Sequence, residues 1–235
     1  MTDELAMATP GQSAAQLSSA PVSEYFDRLS ADYHLQYRDS RKFRQRRERF
    51  AELLRRYAGW SLSALDFGCG AGNLTPLLAE ISDNVVAVDA SAEMRAMASQ
   101  RLAHLANTRV KELDKLEGSA FDLVLCSSVI EYVKADAELL RQFAGWMRPG
   151  GLLLITLPNR FGVAQNVARW LPSQTETCRL QQRLYRRSQA VELLGRHFDV
   201  LESSASIGLP LARNLGMGEL IICAARRRRE SSSIG

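Results

Sequence analysis

The sequence predicts an α/β fold: a seven-stranded, mostly parallel sheet with helices on both faces and an antiparallel hairpin at one edge. Three observations carry this. Short β-type runs alternate with helical segments from residue 61 onward. The intervening stretches suit crossover helices, which parallel strands require and antiparallel strands do not. The last two runs lie close together, as an antiparallel pair at a sheet edge would.

The elements follow in order. The first twenty residues are rich in Ala, Ser, Gln and Thr without periodicity and read as a flexible leader (1–20). The fold is expected to start near Pro21 and to form a single domain to residue 225, since 235 residues suffice for one well-buried core and not for two. From Pro21 to Tyr57 the chain reads as helical. Within it RKFRQRRERF (41–50), with Phe43, Phe50, Leu53, Leu54 and Tyr57 at roughly helical spacing, predicts an amphipathic helix whose arginines mostly face water. Strands are expected at 61–67, 84–89, 108–113, 121–128, 151–157, 197–204 and 218–225, and helices around 72–80, 91–105, 135–147 and 187–195. Residues 160–187 form an insertion longer than a crossover helix needs, and such segments often carry substrate specificity. Arg226 to Arg229 and the serines after them (226–235) read as a solvated basic tail.

Composition excludes several classes. Hydrophobic residues at 46% and charged residues at 24% are ordinary for a globular protein. Cys69, Cys126, Cys178 and Cys223 are scattered, without a C-x-x-C pair or a nearby His, so neither a metal site nor a redox couple is expected, and a reducing cytoplasm suits them. No segment approaches the roughly 18–20 apolar residues of a membrane span, and the N-terminus lacks signal-peptide character. The net charge of +4 argues only weakly for nucleic acid, because the basic residues form no folded patch.

LDFGCGAGN (65–73) ends one apolar run and opens a helix. Its glycines let the backbone turn sharply and approach a ligand closely. The spacing is G-x-G-x-G, with Asn73 where a dinucleotide-binding loop would place its third glycine, which disfavours a nicotinamide enzyme. Asp89 ends the second run about 20 residues on, where an acidic side chain accepts hydrogen bonds from ribose hydroxyls.

Through LDFGCGAGN, VVAVDAS (85–91), FDLVLCSSVIEYV (121–133) and MRPGGLLLITLPNR (147–160), the sequence resembles the class I S-adenosylmethionine methyltransferases, which have a Rossmann-like sheet. Within them it is most similar in look to the ubiquinone-biosynthesis O-methyltransferase type, whose fifth strand likewise runs from a P-G-G turn into a sequence like TLPNR (156–160). The resemblance implies S-adenosylmethionine as cofactor. It assigns the methionine end to Asp66 and the loop Gly68, Cys69, Gly70 and Gly72, and the ribose to Asp89. By the same resemblance Ala90 and Met94 line the adenine, Leu113 lies opposite, and Ser127 lies beneath the cofactor. The chain departs from the family where Leu-Glu-His is common after the fourth strand: it has Ile130, Glu131 and Tyr132, so no histidine serves as a base there.

Methyl transfer asks the protein mainly to align the acceptor and, for a hydroxyl, to remove its proton. Glu131 and Tyr132, at the carboxyl edge of the sheet where open α/β folds put ligands, are the better base candidates. His34, in the helical region that folds over the cofactor in this family, is a third, and His197 reads as a boundary residue between helix and strand. Cys69 and Cys126 read as small packed residues. The expected acceptor is a small molecule, with oxygen favoured by resemblance. A nucleic-acid acceptor is opposed by the absence of an appended RNA-binding domain and of an N-P-P-Y-type sequence, and a non-catalytic scaffold by the intact loop and acid. Residues 161–172, FGVAQNVARWLP, form either a lid packed over the acceptor or a helix resting on a membrane surface.

Overall fold

The computed structural model describes residues 21–29, 40–116, 120–163, 166 and 179–229. The expected leader, His34, Cys178 and most of the 160–187 segment lie outside the described residues. So do all but Phe161, Gly162, Val163 and Asn166 of the 161–172 stretch.

The chain opens with helix α1 (residues 21–29) and α2 (Arg41–Tyr57). Ser40 starts α2 as its cap, accepting from the Phe43 amide at 3.1 Å. Seven strands follow: β1 (Leu62–Phe67), β2 (Ser82–Val88), β3 (Thr108–Lys111), β4 (Phe121–Cys126), β5 (Met147–Pro158), β6 (Phe198–Ser206) and β7 (Leu220–Arg227). Between them lie α3 (Thr75–Ala79), α4 (Ala92–Leu102), α5 (Asp136–Trp146), α6 (Arg187–Leu194) and the short α7 (Pro210–Asn214). The sheet runs β3-β2-β1-β4-β5-β7-β6, with β1 to β5 parallel and β7 antiparallel to both its neighbours. The expected hairpin is there, with β7 inside it and β6 at the edge.

Burial on both faces explains why the central strands read as unbroken apolar runs. Leu65, Phe67, Val124, Cys126, Leu153 and Ile155 face α5 and α6, joined by Leu139, Leu140, Phe143, Leu193 and Leu194. Their alternates Ala64, Leu123, Leu125, Leu152 and Leu154 face α2 and α3 through Phe50, Leu53, Leu54, Leu77 and Leu78. Ala87 packs against Ala98 and Leu102 of α4.

Some expectations change. The helix expected at 72–80 forms only over Thr75–Ala79, because the glycine loop continues to Leu74. Residues 112–113 leave the third strand, and Leu113–Leu116 makes a 3-10 turn. β5 begins at Met147 rather than Gly151, across a register shift opposite Phe121. The basic tail is not wholly solvated: β7 continues to Arg227, and Arg226 donates to the Gly150 carbonyl at 3.0 Å and the Tyr57 carbonyl at 2.6 Å. α7 was not anticipated. Its five residues bury none of their side chains, so no apolar periodicity marked it.

Candidate active site

The sheet reverses its order between β1 and β4, and the carboxyl ends of strands at such a point leave a crevice. The loop after β1 fills its floor. The Gly68 and Cys69 amides donate to the Val88 carbonyl at 2.8 and 2.9 Å, tying the loop to β2. Gly68 has φ +73°, and a Cβ there would meet the Val129 side chain at 2.1 Å, so only glycine fits. Gly70 has φ +54°, yet nothing stands within 4 Å of where its Cβ would lie. Its backbone faces open space. Gly72 instead packs against Leu102 of α4 and does not line the crevice.

Asp89 locks this arrangement. Its Oδ2 accepts from the Gly70 amide at 2.8 Å and its Oδ1 from the Ser91 amide at 2.9 Å. A carboxylate has about four lone-pair sites, so each oxygen keeps room for another donor. Arg95 donates to the Asp89 and Ala90 carbonyls at 2.9 and 3.0 Å, and the Ser91 hydroxyl pairs with Asp27 of α1. Asp66, buried at the end of β1, accepts from the Thr75 hydroxyl at 2.6 Å. Burial pushes its carboxyl up to about 7 against that hydrogen bond, and the nearby Asp89 adds to the rise. Burial likewise raises Asp89, opposed by the Ser91 and Gly70 amides and Arg95.

The crevice has two lobes that share Gly68, Gly70 and Ser127. The larger, about 830 Å³ including its mouth, holds Asp89, Ala90, Met94, Leu113 and Tyr132. Val22 and Phe26 of α1 close it, with the Phe26 and Tyr132 rings edge to face at 5.4 Å. The smaller holds Phe43, Arg46, Asp66, Cys69 and Asn73. Of the ten residues assigned to the cofactor from sequence, all but Gly72 therefore line one lobe or the other.

The base candidates separate. Tyr132 lines the larger lobe, whereas Glu131 is buried and lines neither. His197 precedes β6 at the opposite edge, where burial and then Arg141, Arg196 and Arg228 depress its pKa. Burial pushes the Cys69 and Cys126 thiols well up, consistent with packed residues.

Arg46 departs from the expectation for α2. It is 8% exposed, and its Nη1 donates to the Ser128 hydroxyl at 2.9 Å and the Ser127 hydroxyl at 3.3 Å. A signal for it exists, since Arg46 stands three residues after Phe43 and four before Phe50, on the helix's apolar face. Ser128 itself is a non-glycine residue at φ +58°, a conformation that clusters at functional edges. Among the described residues, no group of three or more His, Cys, Asp or Glu side chains is placed to hold a metal ion. No helix among them is long and apolar enough to cross a membrane.

A family described as "Methyltransferase domain" matches residues 35–202. Among relatives, a ubiquinone biosynthesis O-methyltransferase of Rhodopseudomonas palustris (strain BisB18) is 36% identical over 142 residues, 54% of this chain and 54% of that protein. A second, from strain TIE-1, is 32% identical over 200 residues, 71% of this chain and 76% of the relative. The chain thus spans 54% of the first relative's length and 76% of the second's. Two solved structures share the fold at 18% identity. They are the N-methyltransferase NodS from Bradyrhizobium japonicum WM9 with S-adenosyl-L-homocysteine (TM-score 0.69) and magnesium protoporphyrin IX methyltransferase from Synechocystis PCC 6803 with the same product bound (TM-score 0.68). Each alignment covers 88% of this chain and 98% of the other. With the family matched across most of its length, the chain belongs to the S-adenosylmethionine-dependent methyltransferases.

Proposed function

We propose that this protein transfers a methyl group from S-adenosylmethionine to the hydroxyl of a small, largely apolar molecule. The observation that carries the reading is the two-lobed crevice, apolar at one end, acidic and basic at the other, with open space over the Gly70 backbone between them. The residues fit the cofactor. Two carboxyl groups raised by burial, Asp66 and Asp89, are stabilised by a cationic ligand, and the apolar lobe has the size of a small-molecule site. Bound there, S-adenosylmethionine supplies an electrophilic methyl group on a sulfonium.

In this reading Met94, Leu113 and Phe26 hold the adenine, and Asp89 takes the ribose hydroxyls with its remaining lone pairs. Asp66 meets the ammonium, and Arg46 the carboxylate, of the methionine end. The acceptor enters beside Tyr132. There both ends of the 160–187 segment are pinned: Tyr185 donates to the Pro158 carbonyl at 2.9 Å, Arg160 to the Tyr185 carbonyl at 2.8 Å, and Gln182 to the Glu131 carbonyl at 2.7 Å. We assign that segment to the acceptor side as its cover. The preference for oxygen rests on the relatives named O-methyltransferase, and the preference for an apolar acceptor on the exposed Phe161, Leu209, Leu211 and Leu215 at the same edge.

The test is release of S-adenosylhomocysteine over a panel of phenols, carboxylic acids, amines and RNA. Turnover confined to hydroxylated small molecules is expected. Methylation of amines or RNA alone would overturn the reading.

A further inference from the structure

Glu131 is 4% exposed, and its Oε2 has no hydrogen-bond partner. A buried carboxyl oxygen left so is costly, and a catalytic role is one of the reasons for which such a group is kept. Its neighbour is Ser128, which lines the larger lobe and stands in the left-handed region. Ser128 is fixed on two sides: its amide donates to Thr156 Oγ1 at 2.8 Å, and its hydroxyl oxygen accepts from Arg46 at 2.9 Å. Because Arg46 can only donate, the Ser128 hydrogen points away from it. The buried carboxyl of Glu131, three residues on, has an oxygen still to be satisfied, and Ser128 and Arg46 both act to lower its pKa, so it is the acceptor to which that hydrogen can turn.

We propose that Ser128 and Glu131 form the proton exit of the site. The acceptor's hydroxyl proton passes to Ser128 Oγ while Ser128 passes its own proton to the Glu131 carboxylate. As the acceptor oxygen bonds the methyl carbon, the carbon–sulfur pair returns to sulfur, so the step ends with a methyl ether, a neutral thioether and a protonated Glu131. The inference rests on the proposed transfer to a hydroxyl.

The surroundings suit a proton acceptor that works near neutrality. Burial pushes Glu131 up to about 7, against Arg46 and Ser128. The other groups facing it carry no charge there: the Cys126 thiol on β4 and the Tyr185 hydroxyl are both raised by burial, and Tyr185 donates to Asp136 of α5, which Arg183 neutralises. Glu131 therefore answers to charge in the crevice. Positive charge there before transfer holds it as a carboxylate, and loss of that charge on transfer favours the acid as the proton arrives.

Two ligands that differ by the sulfonium charge test this without turnover. The full chain is titrated calorimetrically near pH 7 with S-adenosylmethionine and with S-adenosylhomocysteine, in two buffers of different ionisation enthalpy. The wild type is expected to release more protons with the sulfonium, and Glu131→Gln to bind both ligands with that difference cut to the part that Asp66, also raised to about 7, contributes. With an acceptor from the panel, Ser128→Ala and Glu131→Gln should each lower kcat roughly 100-fold with little change in KM for the cofactor. Ser128→Ala should keep the difference in proton release, which separates the relay from a folding defect. Glu131→Gln should also erase the acidic limb of the kcat profile. Equal proton release in the wild type, or an unchanged profile in Glu131→Gln, overturns the relay. Finding no hydroxyl acceptor overturns the proposed function instead and leaves the calorimetric result to stand.

Discussion

The two halves of the sheet's carboxyl edge are built differently. Over β1 and β2, the loop 68–74 and Asp89 are tied by short hydrogen bonds among residues close in sequence. Over β5 and β7, the edge is assembled from distant segments. Asn159 donates to the Gly216 and Gly218 carbonyls at 2.9 and 2.7 Å, and Gln45 of α2 exchanges hydrogen bonds with Gly208. Phe161, Leu209, Leu211 and Leu215 there remain exposed. The first half is fixed by backbone, as the proposed cofactor site, with one ligand shape to meet, would require. The second presents apolar side chains that can change without disturbing the frame.

Glycine substitutions break the first half most severely. Gly68→Ala combines a left-handed residue with a clash against Val129, so it should cost roughly 2–4 kcal/mol of stability in urea unfolding. Gly70→Ala meets no protein atom and should cost only about 1–2 kcal/mol. Its damage should appear as at least ~10-fold weaker cofactor binding by calorimetry, about 1.4 kcal/mol. If Gly70→Ala binds normally, the open space is not the cofactor's.

Acidity sharpens the same contrast. Folding raises Asp66 from the ordinary 3.8 to about 7. Such a carboxyl stabilises the fold fully below its unfolded pKa, and that contribution drains away as pH rises to about 7. Asp66→Asn should therefore lose less stability than the wild type between about pH 4 and pH 8, by on the order of 3 kcal/mol. Parallel curves would show that Asp66 ionises in the fold as it does in the unfolded chain.

Asp89→Ala removes two prospective charge-assisted bonds to the ribose, each worth roughly 1.5–3 kcal/mol, and frees the Gly70 amide. Cofactor affinity should fall at least ~100-fold, on the basis of about 1.4 kcal/mol per tenfold. Unchanged affinity would move the ribose elsewhere. The smallest effect is expected across the edge, where Phe161→Ser with Leu211→Ser should shift stability by no more than about 0.5 kcal/mol, as surface changes do. Cofactor affinity should hold while the KM of the acceptor rises. A fall in cofactor affinity would mean that the two halves are not independent.

The sequence by itself determined the strand order's raw material and most of the lining of the crevice proposed for the cofactor. Strand burial on both faces writes apolar runs, and the glycine loop with Asp89 is a local device whose parts sit about 20 residues apart. Tertiary structure alone decided the rest. Arg46 is one arginine among many in RKFRQRRERF, and only the docking of α2 over the end of β4 buries it against Ser127 and Ser128. Glu131 and Tyr132 are adjacent in sequence, yet the 3-10 turn Ile130–Tyr132 sends one into the core and the other into the crevice. Periodicity reports which residues are apolar. Which polar side chain is drawn inside depends on what the neighbouring element offers it, as the hydroxyls just past the end of β4 do for Arg46.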